Sequence, residues 1–329
     1  MKVMVTGGFG AMGSFATRYL VELGERPVVL SRRRDPKLVR DIAEGIDHEA
    51  GDIQDQGRVI EVLKQHRVEA VIHTAALMPP ACRADPAACA GINVGGLASV
   101  LEAARTAGVG KVVFASTKGV YGPITGRHAH PTYEPVNEDH PKNPLNLYDA
   151  SRFFCERLGL GYWESYGMDF VALRFALTYG PGKLAHGAMA AGSSIIDNAM
   201  MGKETVLPRG GDQATDFVYN RDTGRALVLA ALKPNPRHRQ IHIGTGVGRT
   251  LFEFAAEVGK NIPGAAIDIG PGTDFLGLKD TDGQPVNTQC VFDISRAREE
   301  LGYEPRYGIE EGIRDYIELT RELGYYSGA

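Results

Sequence analysis

The stretch "YDASR", residues 148 to 152, sets a tyrosine four positions ahead of a cation, a spacing with chemical use. On a helix, residues i and i+4 share a face, so Tyr148 and Arg152 can both point into one cleft. A phenol with an ordinary pKa of about 10 is a poor base at neutral pH, and a fixed positive charge beside it favours the phenolate. Such a pair suits removal of an alcohol proton while hydride leaves the carbon, or the reverse. Arginine fills that role differently from lysine, being larger, planar and never neutral. A plain helix-surface contact is the alternative reading.

A departing hydride needs an acceptor, and "TGGFGAMG" (6 to 13) is the stretch that could hold one. It follows the strand-like "KVMVT" and opens a pattern in which Met12, Phe15, Ala16, Tyr19, Leu20 and Leu23 recur at helical spacing before Gly24. The glycines fit two registers around Phe9: Gly8, Gly10, Gly13 as GxGxxG, or Gly7, Gly10, Gly13 as GxxGxxG. In either, the missing side chains let backbone N–H groups approach a pyrophosphate at the positive end of the helix. The next strand-like run ends "VVLSRRRD", where an NAD-binding chain usually carries a carboxylate for the ribose 2′-hydroxyl. Ser31 holds that position, and the guanidinium forks of Arg32 and Arg33 suit a 2′-phosphate. NADP is therefore the expected cofactor and NAD the alternative, with a solvated basic loop as the bland reading. "AGDIQD" sets Asp52 and Ile53 at the end of a third strand, placed to meet the adenine.

The elements that must position these groups show as alternation. "KVMVT", "PVVL", "EAGD", "AVIHTAA", "KVVFAS" and "FVALRF" are strand candidates with helical patterns between them. That order predicts an α/β fold, a doubly wound parallel sheet with its ligand at the carboxyl ends of the strands. Residues 1–175 are expected to form the dinucleotide-binding Rossmann domain and 176–329 a smaller substrate-binding domain, with the chain near 216–245 returning to the first. Beyond 175, Gly/Pro-rich connections leave clear helices only at 251–260 and near the C-terminus.

The 329 residues, 43% of them hydrophobic, suffice for a large core, and a net charge of −4 with dispersed basic residues gives no nucleic-acid footprint. Cys82, Cys89, Cys155 and Cys290 fit neither a metal spacing nor a disulfide framework, so inert reduced thiols and a cytoplasmic setting are expected. A strand within the first five residues leaves no room for a signal peptide. No apolar run is expected to reach the roughly 18 residues of a membrane span.

Three further stretches, "HTAA" (73 to 76), "FASTKGVYG" (114 to 122) and "NEDHPKNPLNLYDASR" (137 to 152), resemble the extended short-chain dehydrogenases/reductases, which include nucleotide-sugar epimerases and dehydratases. The resemblance extends through "LRFALTYGPG" (173 to 182), "DFVYNRD" (216 to 222) and "DISRAREELGYEPRYGIEEGI" (293 to 313). It implies Tyr148 as the acid–base group, Arg152 in a slot usually held by lysine, and Thr117 as the hydroxyl that holds the reacting oxygen. Ser116 is either a second substrate hydroxyl or a strand-end group that satisfies the backbone. His73, Ala75 and Asn93 fall where the family makes cofactor and scaffold contacts. A homodimer through helices near 93–107 and 148–166 is also implied.

The pattern breaks where nucleotide-sugar members read "LRYFN" and "RDF", whose asparagine and arginine hold the substrate diphosphate. Leu177 and Thr215 occupy those slots, removing charge-assisted bonds worth roughly 1.5–3 kcal/mol for each charged contact. A small non-nucleotide hydroxy or carbonyl compound, such as a sugar acid or hydroxy acid, is therefore expected as substrate of an NAD(P)-dependent dehydrogenase/reductase. A nucleotide-sugar epimerase or dehydratase is the alternative, and a non-catalytic NAD(P)-binding sensor the second. Met78 and Arg83, Arg127 in the long insert 122–140, and Thr178 are the candidate substrate contacts, with an exposed lid rather than a metal as the reading of His128 and His130.

Overall fold

The computed structural model describes residues 1–183, 190–274, 276–280 and 282–326. Seven strands form one parallel sheet: β1 (Val3–Thr6), β2 (Val28–Ser31), β3 (Asp47–Ala50), β4 (Ala70–His73), β5 (Lys111–Thr117), β6 (Asp169–Phe175) and the strand Gln240–Ile243. From β1 the chain winds outward to β2 and β3, then crosses back to β4 on the other side of β1. Met4 accordingly pairs with Val28 on one side and Val71 on the other. That reversal opens a crevice at the strands' carboxyl ends, the place where doubly wound sheets bind ligands.

Strands β1, β4 and β6 are buried along their whole length, which is why they read as continuous apolar runs rather than alternating ones. Val3, Val5, Ile72 and Val171 face one layer with Ala16 and Leu20 of helix α1 (Gly13–Glu22). Met4, Val71, Val112 and Phe170 face the other, against α2 (Gln56–Gln65) and the helix Gly96–Ala107. Helix α1 packs on the helix Asn220–Leu232, and only a glycine serves at the crossing: a Cβ on Gly224 would lie 2.4 Å from the Phe15 carbonyl carbon.

Leu177–Tyr179 pairs parallel with Ala214–Tyr219, which pairs antiparallel with Gly248–Thr250. Beneath this smaller sheet the rings of Phe217 and Phe254 lie 4.7 Å apart and those of Tyr179 and Phe254 5.1 Å apart. The expected helix at 251–260 forms as Leu251–Asn261.

Three expectations are corrected. Helices also form at Ala191–Met200 and Asn220–Leu232, where buried polar residues blur the apolar period. Those residues are bonded: Asp197 accepts from Tyr316 at 2.5 Å, and Ser193 donates to the Gly180 carbonyl at 3.1 Å. Pro86–Ala107 is one helical run that contains an 18-residue window of mean hydropathy 1.4, long and apolar enough by composition to cross a membrane. Here Leu97, Val100, Leu101 and Ala104 bury against the sheet. Cys82 and Cys89 are joined as a disulfide, because the short helices Pro79–Ala84 and Pro86–Cys89 bring their Cα atoms to 4.8 Å.

The helix Leu147–Tyr166 is tied to β6 by a sealed ion pair: Arg174 Nη2 lies 2.6 Å from Glu156 Oε2, with both side chains almost fully buried. Arg174 Nη1 also donates to Tyr121 Oη at 2.8 Å, which bonds His242 Nε2 at 2.5 Å. Cutting one partner strands the other charge. Arg174→Met should therefore lower unfolding free energy by about 3–5 kcal/mol in urea denaturation, and a loss under about 1 kcal/mol would show the pair to be dispensable.

Candidate active site

The glycine turn settles into one register. Gly7 takes φ +69°, a conformation open to glycine, and its carbonyl accepts from Gly10 N–H at 2.9 Å. A Cβ on Gly13 would sit 2.4 Å from that same carbonyl oxygen. Gly7, Gly10 and Gly13 line a cavity of about 700 Å³, whereas Gly8 packs against Val29 and Thr17. The opening turn of α1 thus presents bare backbone to the cavity, the cradle a dinucleotide pyrophosphate requires. Phe9 shares this wall, its ring 5.2 Å from that of His48.

Ser31, Arg32, Arg33, Asp52 and Ile53 line the cavity beyond the turn, and Ala75 lines it at the end of β4. The Ser31 hydroxyl is already engaged, donating to the Arg33 carbonyl at 2.8 Å and lying 3.1 Å from His48 Nε2. Arg32 and Arg33 are exposed and make no salt bridge among the described residues. Asp52 Oδ1 accepts from Gln54 N–H at 3.0 Å.

Tyr148, Arg152 and Glu156 fall on one face of the helix Leu147–Tyr166, whose start is fixed by Asn146 Oδ1 accepting the Asp149 N–H at 3.0 Å. Tyr148 and Arg152 line the cavity. The Arg152 guanidinium is 2% exposed, 4.8 Å over the Phe114 ring and 5.5 Å from the Tyr148 ring. Its Nε and Nη1 are sealed from solvent and have no hydrogen-bond partner among the described residues. A buried cation without a counterion calls for a ligand. The orphaned guanidinium and the glycine cradle, at two ends of one cavity, fit a dinucleotide between them.

Thr117, at the carboxyl end of β5, lines the cavity, and its Oγ1 accepts from Gly119 N–H at 3.0 Å, leaving its proton to donate. Ser116 also lines the cavity, but its single hydroxyl proton goes to Glu156 Oε1 at 2.5 Å. Its partner is a side-chain carboxylate rather than the backbone group expected of a strand-end satisfier. His73 bonds Thr6 at 2.9 Å, and burial first, then the Arg152 charge, pushes its pKa down to about 3. The ring is thus held neutral, with its Nε2 buried and unpartnered among the described residues.

Asn93 does not line the cavity. Its Oδ1 accepts from Leu77 N–H at 2.7 Å and its Nδ2 donates to Ser151 at 3.2 Å, pinning the loop that carries Met78. Met78, Leu177 and Thr178 line the cavity. Arg83 is exposed away from it. Arg127 lines a separate cavity of about 630 Å³ with His128 and His140, and pairs with Glu134 at 3.3 Å. The 122–140 insert instead docks on the segment after Asn287: Ile124 N–H donates to the Asn287 carbonyl at 2.7 Å and Val136 N–H to that of Val291 at 2.8 Å. Thr215 is fully buried and donates to Gln289 Oε1 at 2.8 Å.

Two cavity lysines were not singled out individually from the sequence: Lys118, and Lys183 at the end of the candidate binding stretch "TYGPGK" (178 to 183). Burial pushes their pKa values down to about 8 and about 7. The one available signal was position, a lysine directly after a strand that ends in two hydroxyls and another directly after "YGPG".

A family model described as the NAD dependent epimerase/dehydratase family matches residues 3–244. A putative UDP-glucose 4-epimerase of Methanocaldococcus jannaschii is 30% identical, covering 96% of this chain and 97% of that one. The structure of Thermotoga maritima UDP-glucose 4-epimerase with UDP-glucose superposes with a TM-score of 0.83 at 26% identity, over 98% of this chain and 99% of that one. MoeE5 in complex with UDP-glucuronic acid and NAD superposes with a TM-score of 0.78 at 27% identity, over 98% and 99%.

Adding one methyl group tests the cradle. Gly13→Ala should weaken NAD by at least about tenfold in a calorimetric titration, a cost of about 1.4 kcal/mol or more. Unchanged affinity would place the pyrophosphate elsewhere.

Proposed function

Because the chain belongs to the NAD dependent epimerase/dehydratase family, we propose that it moves hydride between NAD and a ring hydroxyl of a nucleotide-linked sugar, returning the hydride within the cycle. The observation that carries this reading is the convergence of Tyr148, Thr117 and Arg152 on the cavity that the glycine turn opens. Bound NAD supplies a hydride acceptor. Gly7, Gly10 and Gly13 would hold its pyrophosphate, Asp52 and Ile53 would serve its adenine, and Arg152 would serve its nicotinamide ribose through nitrogens that lack acceptors among the described residues. Thr117 donates to the reacting oxygen. Tyr148 takes the alcohol proton as hydride leaves and gives it back on return, while the charge of Arg152 stabilises the phenol oxygen as it becomes negative. The reading includes a homodimer through the helices Gly96–Ala107 and Leu147–Tyr166, the second of which leaves Phe154, Trp163 and Tyr166 exposed.

A second reading, net dehydrogenation of a free sugar acid or hydroxy acid, is favoured by Leu177, which brings no hydrogen-bonding group to the cavity, and by Thr215, whose hydroxyl is already committed to Gln289. NADP as cofactor is favoured by the exposed, unpaired Arg32 and Arg33, and NAD by the MoeE5 complex.

One assay separates these readings. UDP-glucose is supplied with catalytic NAD, and product isomers and absorbance at the NADH band are followed together, then the run is repeated with NADP and with free sugar acids. The proposal expects isomerisation without net NADH and no gain from NADP. Stoichiometric NADH from a free acid, with no isomerisation of UDP-glucose, would move the assignment to the dehydrogenase. In either case Tyr148→Phe should lower kcat by at least about a hundredfold, about 2.7 kcal/mol, while NAD affinity stays near that of the parent. Retention of more than about a tenth of kcat would remove Tyr148 from the acid–base role.

A further inference from the structure

Lys118, Arg152 and Lys183 bring three buried cations to one cavity, at 4%, 2% and 7% exposure. None forms an ion pair among the described residues. Lys183 is already engaged, its Nζ donating to the Thr178 carbonyl at 2.7 Å and to the Thr178 hydroxyl. Lys118 follows Thr117 directly and is held from behind by neutral groups, donating to Gln289 Oε1 at 2.5 Å and to the Thr288 carbonyl at 3.2 Å. An ammonium has three protons, and two are used. The cavity's own carboxylates, Asp35 and Asp52, lie at the Ser31 end, and Asp149 outside it is engaged by Asn146 at 2.5 Å.

Gln289 Oε1 accepts from both Lys118 and Thr215. A cation thus reaches, from the end of β5, the neighbourhood of the slot where diphosphate-binding relatives are expected to carry arginine. Lys118 lines the cavity next to Thr117. Leu177 offers no donor for a remote phosphate.

We propose that Lys118 receives a carboxylate carried on the sugar ring of the substrate, beside the hydroxyl held by Thr117, so that the enzyme prefers a uronic acid to its neutral counterpart. This rests on the reading of the chain as an enzyme of sugar alcohols and leaves open whether the acid is free or nucleotide-linked. The expected preference is at least about tenfold, the scale of a hydrogen bond to a charged group.

The test is calorimetric titration of UDP-glucuronate, UDP-glucose, glucuronate and glucose with the protein saturated by NADH, which leaves no acceptor for hydride. The parent should bind UDP-glucuronate at least about tenfold more tightly than UDP-glucose, or glucuronate than glucose, and Lys118→Met should bring the ratio to within about twofold while NADH affinity holds. A parent with no acid preference in either pair overturns the proposal, as does a Lys118→Met variant that keeps it. Equal weakening of UDP-glucose and UDP-glucuronate by Lys118→Met also overturns it, since the lysine would then hold the diphosphate. If Lys118→Met fails to bind NADH, Lys118→Gln carries the comparison by the same ratio. Failure of the functional reading is distinct: turnover would be missing on every sugar alcohol, whatever the binding ratio.

Discussion

The Arg152 guanidinium is buried, and among the described residues two of its nitrogens have neither solvent nor an acceptor. In an interior site an uncompensated ion costs several kcal/mol even after the protein relaxes. The Phe114 face beneath it returns part of that through cation–π attraction, about 2 kcal/mol when desolvated. The balance has to come from whatever enters the crevice between β1 and β4. His73, beside it, is held neutral and so adds no second charge. The ligand-free site is thus poised for groups rich in oxygen, and the fold keeps it so by burying the cation on a capped helix instead of letting it reach water.

The same helix face carries a second buried charge that is handled in the opposite way. One turn beyond Arg152, Glu156 is closed off by Arg174 and Ser116, and Arg174 passes the connection through Tyr121 to His242. Full satisfaction makes that network rigid, and it fixes the ends of β5 and β6 where Ser116, Thr117 and Leu177 are presented. Tyr148, Arg152 and Glu156 therefore form a gradient along one face, from cavity-lining, to unpaired among the described residues, to fully paired.

Much of this was legible because it is local. The glycine turn, the Tyr148–Arg152 spacing and the strands that bury both faces each depend on a few adjacent residues. The turn's register required the fold, since Gly8 and Gly7 differ only in what packs against them. The Cys82–Cys89 disulfide required two short helices to turn back on each other. Arg83 and Arg127 carried the right charge and were drawn to other surfaces. Weighing Leu177 and Thr215 alone points to a small substrate, yet the chain resembles UDP-sugar enzymes along nearly its full length. A slot that has lost its charge can still have a cation for a neighbour, as Lys118 and Thr215 share the acceptor Gln289, 171 positions from the lysine, and local comparison cannot see that.

The claim that Arg152 is an unpaired cation reserved for bound cofactor makes two opposite demands on one variant, and both are read in a single thermal-melt series with and without NAD. Arg152→Met removes a buried charge that nothing in the ligand-free protein satisfies, so the melting temperature without NAD should stay level or rise. The same change removes the partner of the cofactor's ribose, so the NAD-induced rise should shrink. A ligand-free variant that melts several degrees lower, with the full NAD-induced rise intact, would show that the guanidinium is paired within the fold and takes no part in holding the cofactor.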